Sequence, residues 1–122
     1  LGTSFNIDSL GNIIESYCDY IGIRDFFAVL YTDHLMTAAR LIARIENGKC
    51  VGTDRQATFP PQMILPQPLM DTHKSLIMES LYVRNENIGY ILFNIGDHPG
   101  LLYKNLRHQI SSAIKSAWQL NQ

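Results

Sequence analysis

The side chains best suited to bind a metal or act as nucleophiles are four histidines (His34, His73, His98 and His108) and two cysteines (Cys18 and Cys50). Their spacing does not gather them locally. No His-x-x-His, His-Glu-x-x-His or Cys-x-x-Cys pattern occurs, so a zinc site would need ligands assembled from distant segments. His98, followed by Pro99, reads as a helix-entry residue. The two cysteines read as small buried or half-buried side chains in a reducing compartment. No Ser-His-Asp arrangement and no Gly-rich phosphate loop is visible. These residues give no catalytic set and no metal site, and they leave any cofactor unidentified. A small-molecule pocket is the remaining chemistry. Tyr31, Ile42, Phe59, Met63 and Met78 could line an apolar cavity in which Arg40, Arg55 or His73 orients a polar group. The same residues admit a second reading, in which the apolar ones fill the core and the arginines are solvated at strand edges.

A short series of elements must position these residues. Asn6 or Asp8 can cap a first helix running to about Ile21, with Leu10, Ile13, Ile14, Tyr17 and Ile21 as its apolar stripe and Gly22 just past its end. Residues 26–32 are a short run of strand formers, expected at the centre of a sheet. Asp33-His34 turns the chain. Residues 38–46 then alternate, Leu41, Ala43 and Ile45 on one side and Arg40, Arg44 and Glu46 on the other, which predicts a half-buried strand. On propensity alone, 36–45 also suits a helix. Asn47-Gly48 predicts a tight hairpin, with 49–53 as the returning strand.

Residues 52–74 hold four of the five prolines (Pro60, Pro61, Pro66 and Pro68) among Met63, Ile64, Leu65, Leu69 and Met70. Proline excludes a regular helix or central strand there, while the apolar residues require that the segment pack on something. A second hairpin is expected from 76–83 and 88–95, turning at 84–87. The last helix shows one stripe: Leu102, Tyr103, Leu106, Ile110, Ala113, Ile114, Ala117 and Trp118. Over 99–122 it would be about 36 Å long, against about 20 Å for a typical strand, so its final turns should project.

At 122 residues the chain is one domain, with 46% hydrophobic and 17% charged residues. A net charge of −1 and evenly scattered basic residues argue against nucleic-acid binding. No apolar run is long enough to span a bilayer, so a cytoplasmic location with no membrane insertion is expected. The sequence begins with Leu1, and the expectation is that it was excised from a longer multidomain protein.

Leu81-Tyr82-Val83, the turn with Asn85 and Asn87, Ile88-Gly89-Tyr90-Ile91-Leu92-Phe93, Gly96, Gly100, Tyr103, Leu106-Arg107, Gln109-Ile110-Ser111 and Ala113 together resemble the GAF domains of bacterial signalling proteins. The match is closest to modules preceding diguanylate cyclase or helix-turn-helix output domains. It is good over about 76–122, looser over 59–69 and topological before that. Asn94 and Lys104 stand where that pattern carries acidic residues. The resemblance implies an α+β fold: a central antiparallel sheet of about five to six strands, N- and C-terminal helices on one face and an irregular loop cover on the other. A PAS-like domain is the alternative fold.

The resemblance also implies ligand sensing or dimerisation, with the signal passed through the terminal helices. Related modules bind cyclic nucleotides, tetrapyrroles, haem or small metabolites. Covalent bilin attachment in related photoreceptors uses a cysteine commonly followed by histidine; here Cys18 precedes Asp19 and Cys50 precedes Val51. A GAF-fold enzyme that reduces free methionine sulfoxide uses three cysteines, and this chain has two. The expectation is therefore a non-enzymatic sensory or regulatory domain. It would form a homodimer through Leu10, Ile14, Tyr17, Ile110, Ile114 and Trp118, bind an unidentified small molecule, and act on an attached output domain. The alternatives are a ligand-free dimerisation or spacer module and, from another class, a small redox enzyme on the same fold.

Overall fold

The computed structural model describes residues 8, 11–16, 23–33, 35–66, 69, 76–83, 85–94, 108, 109, 111 and 112. Six strands form one antiparallel sheet: β1 (Asp25–Tyr31), β2 (Ala39–Glu46), β3 (Lys49–Cys50), β4 (Thr58–Phe59), β5 (Ile77–Val83) and β6 (Glu86–Asn94). Their order is β3-β2-β1-β6-β5, with β4 pairing at the other end of β2. Two hairpins are thus joined through the first and last long strands. Residues 26–30 and 88–93 are buried throughout, as strands covered on both faces require.

Local chemistry explains the turns. Asn47 and Gly48 both have positive φ, 55° and 80°, the geometry of the two-residue hairpin loop that matches strand twist. Asn85, at φ 68°, does the same work in the β5–β6 turn. Pro60 and Pro61 cannot donate to a ladder, so β4 stops at Phe59 and passes into a 3-10 turn at Pro61–Met63. β4 itself was not expected, and β3 is shorter than the 49–53 anticipated. For 39–46 the strand reading holds over the helical one.

The pattern of β2 departs from simple alternation. Ala28 pairs with Ala43 and Val29 with Leu41, so Ile42 is an extra residue, a β-bulge. Directly paired residues share a face of the sheet. Arg44 therefore stands on the face of Phe27, and Arg40 on the opposite face with Leu30. The expectation that Arg40 and Arg44 share a face is corrected by this one inserted residue.

The proline-rich segment covers one face, as its composition predicts. Phe59, Leu65 and Leu69 pack on Phe27, Val29, Ala39, Leu41, Tyr90 and Leu92, with Tyr31, Met63, Ile64 and Leu76 at the margin. Each large apolar side chain so buried contributes about 1.5–3 kcal/mol. Of the terminal helices, residues 8, 11–16, 108, 109, 111 and 112 are helical; the rest of both expected helices lies outside the described residues. No helix among the described residues is long and apolar enough to cross a membrane.

Candidate functional site

The space between sheet and cover is filled by side chains. Phe27, Val29, Ala39 and Leu65 are fully buried, and Tyr90 is 1% exposed. Tyr31 meets the Tyr90 ring edge-on, at 6.0 Å between centroids. The Tyr90 hydroxyl donates to the Ile64 carbonyl. Burial first, and then the neighbouring Tyr31, push the Tyr90 phenol well above the usual tyrosine range. Ile64 has φ 68° and ψ −53°, and Leu65 N–H donates to the Met63 carbonyl at 2.7 Å across it. This is the rare positive-φ γ-turn, strained for a β-branched residue. It aims the Ile64 carbonyl at Tyr90, so a strained cover residue is fastened to the central strand.

A polar bracket closes the β2 edge between β3 and β4. Arg55 Nε donates to the Ile42 carbonyl at 2.7 Å. Nη1 donates to the Asp8 carbonyl at 3.2 Å and to Asp8 Oδ1 at 3.3 Å. Nη2 donates to Asn12 Oδ1 at 3.3 Å and to Glu15 Oε1 at 3.1 Å. The five guanidinium N–H groups thus have five acceptors. The other Glu15 oxygen accepts the Arg44 backbone N–H at 3.1 Å. Glu15 and Arg55 together supply the donor and acceptor that a neighbouring strand would otherwise give. Gly11 allows the helical residues this close, since a Cβ there would overlap the Ile42 carbonyl and come within 2.6 Å of Arg55.

A third feature lies along β5, at the opposite edge of the sheet. Met78, Glu79, Ser80, Tyr82 and Ser111 line an open cavity of about 500 Å³. Met78 and Tyr82 are 47% and 58% exposed.

The eight residues expected in one pocket are therefore distributed. Tyr31, Phe59 and Met63 belong to the cover cluster, and Met78 lines the β5 cavity. Ile42 is the buried bulge residue. Arg55 is committed to the bracket, and Arg40 stands on the face away from the cover. His73 lies outside the described residues.

Among the residues expected at a dimer interface, Ile14 is instead packed inside the chain at 1% exposure, while its neighbour Ile13 is 55% exposed. Ile14 points inward at the turn that the bracket holds against β2. Leu10, Tyr17, Ile110, Ile114 and Trp118 lie outside the described residues, as do Cys18, His34 and His98. Cys50 is exposed, and its thiol donates to the Glu15 carbonyl oxygen at 4.0 Å. Among the described residues no group of three or more His, Cys, Asp or Glu is placed to hold a metal ion.

Sequence reasoning missed Asp8, Asn12 and Glu15 as partners of Arg55, and Tyr90 as the anchor of the cover. Asp8-x-x-x-Asn12-x-x-Glu15 places three acceptors at helical spacing on one face, which is the available signal for a cationic partner. Compared with known proteins, the chain matches no family model, and no curated protein and no solved structure is significantly similar to it.

Proposed function

We propose that the chain is a non-enzymatic, GAF-like regulatory module that couples small-ligand binding or self-association to an attached output domain through its terminal helices. The observation that carries this reading is the bracket. A module that signals through a terminal helix needs that helix joined to the sheet firmly enough to move with it. Asp8 and Glu15 are joined to the β2 bulge by charge-assisted hydrogen bonds from a single arginine. In this reading the unit is a cytoplasmic homodimer, with the terminal helices of two copies side by side and an output domain such as a diguanylate cyclase or a helix-turn-helix domain attached. The ligand binds one arrangement of these helices more tightly than the other.

A second reading, a ligand-free dimerisation or spacer module, is favoured by the filled interior beneath the cover. Both readings require self-association or a bound small molecule. Sedimentation velocity over a wide concentration range tests the shared element. A reversible monomer–dimer equilibrium supports the reading, and its loss in Trp118→Ala places the contact on the last helix. A species that stays monomeric to high concentration removes the dimer from the proposal.

A further inference from the structure

The two edges of the sheet are finished differently. At the β2 edge, β3 and β4 pair with either end of the strand, and Glu15 and Arg55 meet the backbone of Arg44 and Ile42 between them. At the other edge β5 pairs with β6 on one side, and among the described residues no strand lies on its other side. An open edge offers a row of backbone donors and acceptors to another strand, and proteins commonly blunt it with lysine, proline or a bulge. β5 carries none of these. Its seven residues hold one charged side chain, Glu79, and the extra residue at this end of the sheet is Ile88, in β6. Ile77, Met78 and Tyr82 are exposed along it instead.

The strand is also complementary to itself. Met78 and Ser80 share the cover face with their partners Leu92 and Tyr90, and alternation along the strand adds Tyr82. All three are exposed, so the cover stops short of them. With Glu79 and Ser111 they line the open cavity at this edge. A second β5 laid antiparallel in that opening, with a two-fold axis at Ser80, sets Ser80 against its own copy, Met78 against Tyr82 and Glu79 against Leu81. Hydroxyl meets hydroxyl, thioether meets aromatic ring, and no two like charges stand directly opposite.

We propose that β5 is the pairing edge for a second copy of this chain, joining two sheets into one through residues 78–82. Main-chain hydrogen bonds supply the attraction, and the paired Met78–Tyr82 contacts fix the register. The interface is isologous. Its axis is perpendicular to the sheet, so elements on one face of each copy end on the same side of the joint sheet. Ser111, a helical residue, stands at this edge, which brings the last helices of the two copies toward each other. This deepens the self-association part of the proposed function and rests on it.

The test is cross-linking of the full chain with Cys18 and Cys50 replaced by serine. Directly opposite Cβ atoms in such a pair lie about 4.5–5.5 Å apart, within reach of a disulfide after a small shift. Ser80→Cys gives a disulfide-linked dimer on mild oxidation, at several times the yield of Thr58→Cys, an exposed position at the other edge. In sedimentation velocity, Ser80→Lys and Ser80→Glu each weaken dimerisation about fivefold, because like charges then face each other. An equimolar mixture of the two recovers the wild-type affinity. The cross-link serves as the readout if a charged variant does not fold. Equal yields from Ser80→Cys and Thr58→Cys, or wild-type dimerisation by Ser80→Lys, overturns the strand pairing. If the dimer is then still lost in Trp118→Ala, self-association stands and only the β5 edge is removed as its site. A wild-type chain that stays monomeric overturns both.

Discussion

Replacing Arg55 with methionine should unfasten the N-terminal helical residues from the sheet. Methionine keeps the aliphatic stem and removes the guanidinium, leaving the Ile42 carbonyl and the Glu15 carboxylate without their partner. The Arg55 and Glu15 side chains are 14% and 12% exposed, so their pair is largely desolvated. Removing one member of such a pair costs about 3–5 kcal/mol. Asp8 is 71% exposed, and its ion pair with Arg55 adds less than about 1 kcal/mol. A loss of about 3 kcal/mol is expected. For a chain of 122 residues, an unfolding entropy of about 0.26 kcal/mol/K converts this to a fall in Tm of about 12 °C. Arg55→Lys retains the charge but cannot span Ile42 and Glu15 together, so it should lose roughly half as much. Thermal unfolding by circular dichroism gives the Tm values, and hydrogen exchange should show amides 11–16 losing protection before those of β1 and β6. A fall in Tm below about 2 °C for Arg55→Met would refute the claim that this residue fastens the helix.

Other consequences follow from single contacts. Tyr90→Phe removes the hydrogen bond to the Ile64 carbonyl and should cost about 1–2 kcal/mol, read by urea unfolding. Because burial raises the folded-state pKa of Tyr90, its stabilising contribution is fully present below about pH 10. It falls as the unfolded tyrosine ionises above that pH, and a stability–pH curve for Tyr90→Phe should be flatter in that range. Gly48→Ala meets no atom within 4 Å but forces φ +80° on an alanine, so it should cost about 1 kcal/mol through the backbone alone. Trp118→Ala should weaken dimerisation by roughly 30-fold with little change in Tm if the last helix carries the contact.

Much of the sheet is legible in the sequence because its signals are local. Asn47-Gly48 specifies its own turn, the apolar runs of β1 and β6 announce strands covered on both sides, and the prolines of 60–68 mark a packed but irregular cover. The bulge is not legible. One inserted residue at Ile42 reverses the facing of everything beyond it, and no residue type marks that position. The separation of Arg40 from Arg44, and hence the surroundings of each arginine, depends on it. The bracket is hidden for another reason: Arg55 and Asp8 lie 47 residues apart, a pairing that tertiary geometry creates and local pattern does not. Exposed and packed residues of one helix are likewise separated only by the surface it lies on, which is why Ile14 turned out to be core and Ile13 surface.

Native mass spectrometry of the chain, purified without added ligand and compared under gentle and denaturing conditions, tests the central claim most directly. A regulatory module of this kind should fly as a dimer, as a complex with a small molecule lost on denaturation, or as both. A bare monomer at every concentration tried, with no adduct, would contradict the account.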